Sequence, residues 1–170
     1  LIKKGEMEEL RKRMIEIWPP NSYWDEEDIK YITLLLLGVH NLYGGKGQKV
    51  YEAYSKKLKS PGELEWLSTL DSRVSIVRAY EGFEETLKWL NYLKNQIIPP
   101  NDGVVSLEIG NLYFSIGDYP TSRNHYREAV DRSLQGIAWY RIAALNAMTS
   151  CLIKLGESRL AFEYARTVCM

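Results

Sequence analysis

The 170 residues suffice for one domain, and 22 basic against 22 acidic side chains leave no general field to draw in nucleic acid or an acidic membrane. Charged residues at 26% and aromatic ones at 12% exclude a disordered composition. Cys151 and Cys169, the only cysteines, are too few for a disulfide framework, and the apolar run Leu34–Leu37 is far short of the ~20 residues that span a bilayer. A soluble, cytoplasmic chain is expected.

In chain order, apolar residues three and four apart predict a helix over Glu6–Ile17. Pro19-Pro20-Asn21-Ser22 then reads as a connector. A hairpin follows, Asp25–Tyr43 and Gln48–Leu58, with the acidic run from Asp25 stabilising its first turn. Ser60-Pro61-Gly62 is the next connector; Ser60 as cap, Pro61 at the first helical position and Glu63 as capping-box partner open a third hairpin. That hairpin runs Glu63–Tyr80, then Phe83–Ile97. After Pro99-Pro100-Asn101-Asp102-Gly103 comes a fourth, Val104–Ile116 and Pro120–Ser133, with Asp102 and Asp118 as expected caps. The last is Ile137–Leu155, then Ser158–Val168. Nothing alternates long enough to argue for a sheet.

An internal repeat decides the fold class. Leu1-Ile2-Lys3-Lys4-Gly5-Glu6-Met7 matches Leu152-Ile153-Lys154-Leu155-Gly156-Glu157-Ser158 at five of seven positions. Weaker copies surround Gly44, Gly82 and Gly117, so the turn glycines recur at nearly even steps of about 35–39 residues, a period typical of helical repeat arrays. Each unit is a helical hairpin that buries its apolar side only by stacking on neighbours. The expected product is a single all-α repeat domain over residues 1–170: four hairpins and the remnant of a fifth. Both ends look open, which reads as a segment of a longer protein.

The pattern resembles the tetratricopeptide repeat. The match is best at Leu107, Gly110 and Tyr113, the turn Gly117-Asp118-Tyr119, and then Ser122, Tyr126 and Ala129. Gly156, Ala161 and Ala165 in the last hairpin, with Ala147 before them, and Phe83, Thr86 and Leu90 in the third, continue it. The resemblance implies a right-handed superhelix of stacked antiparallel hairpins. Repeats of this length also resemble the helical arrays of signal-transducing ATPases and of some transcription regulators.

No group of residues converges on chemistry. His40 and His125 lie far apart in the chain, without metal-ligand spacing to a cysteine. Gly44-Gly45-Lys46-Gly47-Gln48-Lys49 fails as a phosphate loop, because His40 stands at its first glycine and Gly47 at the magnesium-binding Ser or Thr; it reads as a turn. Carboxylate pairs sit at helix starts, where capping accounts for them. Basic Lys3-Lys4 and Arg11-Lys12-Arg13 are interleaved with Glu6, Glu8, Glu9 and Glu16 as a solvated face, which disfavours nucleic acid. No catalysis, metal or cofactor is expected. Trp18, Tyr23, Trp24 and Trp66 read either as inter-repeat packing or as anchors for a partner.

In the family resembled, the first helix of each hairpin lines a concave groove. The resemblance places Leu34, Gly38 and Asn41 there, then Asp71, Ser75 and Arg78, then Leu107, Glu108, Asn111 and Phe114, and last Asn146, Ser150 and Ile153. Amides can hold a peptide backbone, and Arg78 suits a carboxylate. The reading is a scaffold or regulatory repeat domain binding a protein, a peptide or another domain of its own chain. The alternative is a ligand-sensing domain of a larger signal-transducing ATPase or transcription regulator.

Overall fold

The computed structural model describes residues 5–61, 64–136 and 138–168. Among them the chain is all-α: α1 (Glu6–Ile17), α2 (Glu26–Tyr43), α3 (Gln48–Leu58), α4 (Leu70–Gln96, two helical stretches that meet at a kink at Gly82, whose φ 84° and ψ -179° are not helical), α5 (Gly103–Ser115), α6 (Tyr119–Ser133), α7 (Arg141–Lys154) and α8 (Ser158–Val168). Short 3-10 turns at Gly44–Gly47, Leu64–Thr69 and Ala138–Tyr140 lead into α3, α4 and α7. The chain forms two compact units, residues 1–86 and 87–170.

Several helices lie where periodicity puts them, within one residue at each end. Two expectations are corrected. The third hairpin's first helix begins at Leu70 rather than Glu63, and the last hairpin's at Arg141 rather than Ile137, because a 3-10 turn precedes each. Such tighter turns are common at helix N-termini. The repeat copy at residues 1–4, the Glu63 capping box, Ile137 and Cys169 lie outside the described residues, as does the Trp66 side chain.

In the first unit, α2 opens on a reciprocal capping box. The Asp28 N–H donates to Asp25 Oδ1 at 2.9 Å, and the Asp25 N–H donates to Asp28 Oδ2 at 3.2 Å. The connector before it is pinned by tryptophans: Trp18 Nε1 donates to Asp28 Oδ1 at 3.1 Å and Trp24 Nε1 to the Pro19 carbonyl at 3.1 Å. Trp24 is only 1% exposed and packs on Tyr54, so it serves the core and not a partner; Tyr23 is exposed. Met14, Ile29, Ile32, Leu36, Val50, Tyr51 and Leu58 complete this core. Arg73, wholly buried, donates through Nη1 to the carbonyls of Leu58 and Ser60, tying the end of α3 to α4. Burial lowers its pKa to about 10, which leaves it charged at neutral pH.

In the second unit α5 packs on α6, α6 on α7 and α7 on α8. The α5–α6 turn is built on Gly117, at φ 82°. The Asp118 N–H donates to the Tyr113 carbonyl at 3.1 Å and the Gly117 N–H to that of Phe114 at 3.1 Å, the double bond of a Schellman motif. Asp118 at once caps α6 by accepting from the Thr121 N–H. Gly156, at φ 77°, repeats the pattern: Glu157 N–H to the Leu152 carbonyl, Gly156 N–H to that of Ile153. Gly44 and Gly82 are also left-handed, whereas Gly5 is not. Asp102 departs from expectation, since its side chain makes no capping bond and lies 3.5 Å from Arg132 Nε.

The helices of the fourth hairpin interlock. A Cβ on Gly110 would fall 2.5 Å from the Tyr126 ring, and Ser122 Oγ donates to the Gly110 carbonyl at 2.9 Å. Gly38, in the middle of α2, has no atom of the described residues beyond its own helix backbone within 4 Å of where its Cβ would be. The two glycines therefore predict opposite outcomes. Gly110→Ala is expected to destabilise by about 1–3 kcal/mol through overpacking. Gly38→Ala is expected to stabilise by up to ~1 kcal/mol, the difference in helix propensity. Urea unfolding of both variants checks the pair.

Candidate functional site

The residues expected on the groove fall on the first helix of each hairpin, and each unit presents its own set. In the first unit Asn41 is exposed near the end of α2. Asp71, Ser75 and Arg78 follow one face of α4 at i, i+4 and i+7. Asp71 and Ser75 are exposed and Arg78 is half-buried. Asp71 Oδ1 accepts from the Ser72 N–H at 2.6 Å, and Ser75 Oγ donates to the Asp71 carbonyl at 3.0 Å. Leu34 stands 64% exposed on α2.

In the second unit α5 is buried almost all round, and Asn111 is its one exposed residue before Ser115. Its amide is held in a fixed orientation. Tyr126 Oη donates to Asn111 Oδ1 at 2.8 Å, and Asn111 Nδ2 donates to Glu108 Oε2 at 3.3 Å. An ionised Glu108 can only accept, so the amide nitrogen must face it. Glu108 and Leu107 themselves are buried, at 7% and 5% exposure. Phe114 is half-buried, packed edge-on to Tyr119 at 5.1 Å and tilted on Tyr126 at 6.4 Å. Asn146, Ser150 and Ile153 share the exposed face of α7 with Ile142.

Sequence reasoning missed a hollow of about 410 Å³ along α6, lined by Asn124, Arg127, Glu128, Asp131, Arg132 and Gln135. The i, i+3, i+4, i+7 spacing of Asn124, Arg127, Glu128 and Asp131 was the available signal. Beside it Lys94 pairs with Glu128 at 2.6 Å, and further along Arg123 pairs with Glu157 at 2.6 Å, each joining one hairpin to the next.

The turn Gly44–Gly47 is a 3-10 helix whose last glycine is buried against Tyr80 and Val39, so it packs as a turn. Cys151 is buried, its Sγ 3.3 Å from the Tyr119 carbonyl, and burial raises its pKa. Among the described residues no three of His, Cys, Asp and Glu gather as a metal site. No described helix is long and apolar enough to cross a membrane.

These hairpins, with left-handed glycine turns and a small residue seated under an aromatic one, have the fold of divergent tetratricopeptide-like repeats. No family model matches the chain, and no curated protein does. Among solved structures it is similar to a Signal Transduction ATPase with Numerous Domains protein with a tetratricopeptide repeat sensor, from Pyrococcus horikoshii. The match has a TM-score of 0.60 at 20% identity and covers 97% of this chain. The chain spans 26% of that protein's length.

His125 stacks on Tyr113 with ring centroids 5.7 Å apart and planes 3° from parallel. Burial, then the Lys94 charge, hold its pKa below the ordinary 6.5, with Glu128 opposing them. The unfolded chain therefore takes up this proton at higher pH than the folded one. Its contribution to stability is complete above about pH 6.5 and is lost as pH falls from there through the lowered folded value. His125→Gln is expected to flatten that part of the profile, read as urea midpoints across a pH series.

Proposed function

We propose that this chain is a sensing or regulatory repeat domain of a larger signal-transducing ATPase, and that it acts by binding rather than by catalysis. The carrying observation is the likeness, over 97% of the chain, to a protein whose tetratricopeptide repeats are named as its sensor. The whole of residues 1–170 serves as that one domain. In this reading Asn41, Asp71, Ser75 and Arg78, and in the second unit Glu108, Asn111, Phe114, Asn146 and Ser150, form the partner-binding set. Asn111 leads it, because an exposed amide already oriented by Tyr126 and Glu108 loses little freedom on meeting a peptide or ligand. Glu108 and Phe114 support it from beneath.

The full-length gene product is expected to carry a nucleotide-hydrolysing domain whose turnover changes when residues 1–170 are deleted. A parent without such a domain, or with unchanged turnover, overturns the reading. Within this chain, alanine at both Asn111 and Arg78 is expected to cut retention of a partner captured from source-cell lysate at least tenfold, with helical content unchanged by circular dichroism. Retention equal to wild type removes these residues from the site.

A scaffold that only binds a protein, with no ATPase attached, is the second reading. It rests on the same exposed first-helix faces.

A further inference from the structure

The hollow along α6 lies apart from the candidate groove, whose residues in this unit are on α5 and α7. Every side chain that lines it is polar or charged, so it holds no apolar ligand. Its volume of about 410 Å³ falls within the roughly 300–1,000 Å³ of small-molecule sites. At about 100° of rotation per residue, Asp131 falls between Arg127 on one flank and Arg132 on the other, with Asn124 and Gln135 close to the same row.

Its charges are of two kinds. Glu128 is committed, with its carboxylate on Lys94. Arg132 is braced from behind: its Nε lies 3.5 Å from Asp102 Oδ1, an oxygen that makes no hydrogen bond among the described residues, in a residue only 5% exposed. A buried carboxylate at Nε restrains the guanidinium and leaves its two terminal nitrogens as donors for a second oxyanion. Arg127 and Asp131 are exposed, and among the described residues neither forms an ion pair. A cation four residues before an anion is the weaker order for an intrahelical pair, so the helix leaves both charges available.

The balance of charge selects the ligand. Lys94, Arg127 and Arg132 are matched by Asp102, Glu128 and Asp131, so the hollow as a whole is neutral. An anion drawn to the arginines meets Asp131, and a cation drawn to Asp131 meets two guanidiniums. A small molecule that carries one charge of each sign satisfies both. The carboxylate and ammonium of a free amino acid hang from one carbon, close enough to reach an arginine and Asp131 together. We propose that this hollow binds a free α-amino acid as its zwitterion, the carboxylate held by Arg127 and Arg132 and the ammonium by Asp131. This goes beyond the sensing role and stands without it.

Thermal unfolding of the chain at neutral pH, with each common free amino acid in turn at about 10 mM, tests this. A ligand with a Kd of about 1 mM then raises Tm by roughly 4 °C. At least one amino acid is expected to give such a shift. Its N-acetyl form and its carboxamide, each lacking one of the two charges, are expected to give none. Arg127→Gln and Asp131→Asn, both at exposed positions, are each expected to abolish the shift with an unchanged circular dichroism spectrum. Arg132 is left in place, because its removal would strand the buried Asp102 carboxylate. No shift with any amino acid, a shift that either blocked form reproduces, or one that survives either substitution overturns the proposal. The binding test on Asn111 and Arg78 is read separately, so either result stands without the other.

Discussion

The seating of Tyr126 on Gly110 is the constraint from which the second unit is built. With no side chain on Gly110, the ring meets the α5 backbone directly, and Ser122 reaches the carbonyl of the same residue. That fixes how closely α5 and α6 approach. It also decides the chemistry presented outward: the hydroxyl of the buried ring ends at Asn111 and turns its amide toward Glu108. Core packing and the orientation of an exposed amide are joined through a single tyrosine. Burial raises the pKa of that tyrosine to about 12, so it stays a neutral donor throughout the physiological range.

The first unit solves the same problem with different residues. There Tyr80 sits on Gly47, in the turn before α3, and its hydroxyl donates to the Leu36 carbonyl at 3.1 Å. Tyr51 stacks on Tyr80 at 4.5 Å and donates to Glu81, which Lys59 also binds at 2.9 Å. Here the glycine and the ring belong to successive hairpins rather than to one, but a tyrosine again packs on bare backbone and donates its hydroxyl to a carbonyl. The repeat period depends on where the helices break, and Gly44, Gly82, Gly117 and Gly156 all take a positive φ at such a break.

The same distinction separates what was legible in the sequence from what was not. Helix spans such as Glu6–Ile17 and Ser158–Val168 follow from local periodicity, and the glycine turns from the lack of a Cβ; both are properties of a few adjacent residues. Of the candidate faces the sequence gives only the register: i, i+4 and i+7 place Asp71, Ser75 and Arg78 on one side of a helix whatever surrounds them. Burial was harder to read. Trp24, Glu108 and Arg73 are polar or amphipathic residues whose partners, such as Pro19, Asn111 and Leu58, are fixed only when the chain closes. Asp102 has the residue type of a cap, but its place beside Arg132 was decided by the far end of α6, a helix later in the chain.

Gly38 and Gly110 show how surroundings, and not residue type, carry functional information. Both are glycines on the first helix of a hairpin; the resemblance puts Gly110 in the repeat motif and Gly38 on the groove. Gly110 lies under a ring, and its cost in helix propensity is offset inside the chain. Gly38 is covered by no other element among the described residues, and exposed Leu34, Leu35, Asn41 and Leu42 surround it on the wheel. α5 shows the completed state of such a helix, buried nearly all round with a single amide left to solvent. α2 has the composition of a buried helix with half of its surface uncovered.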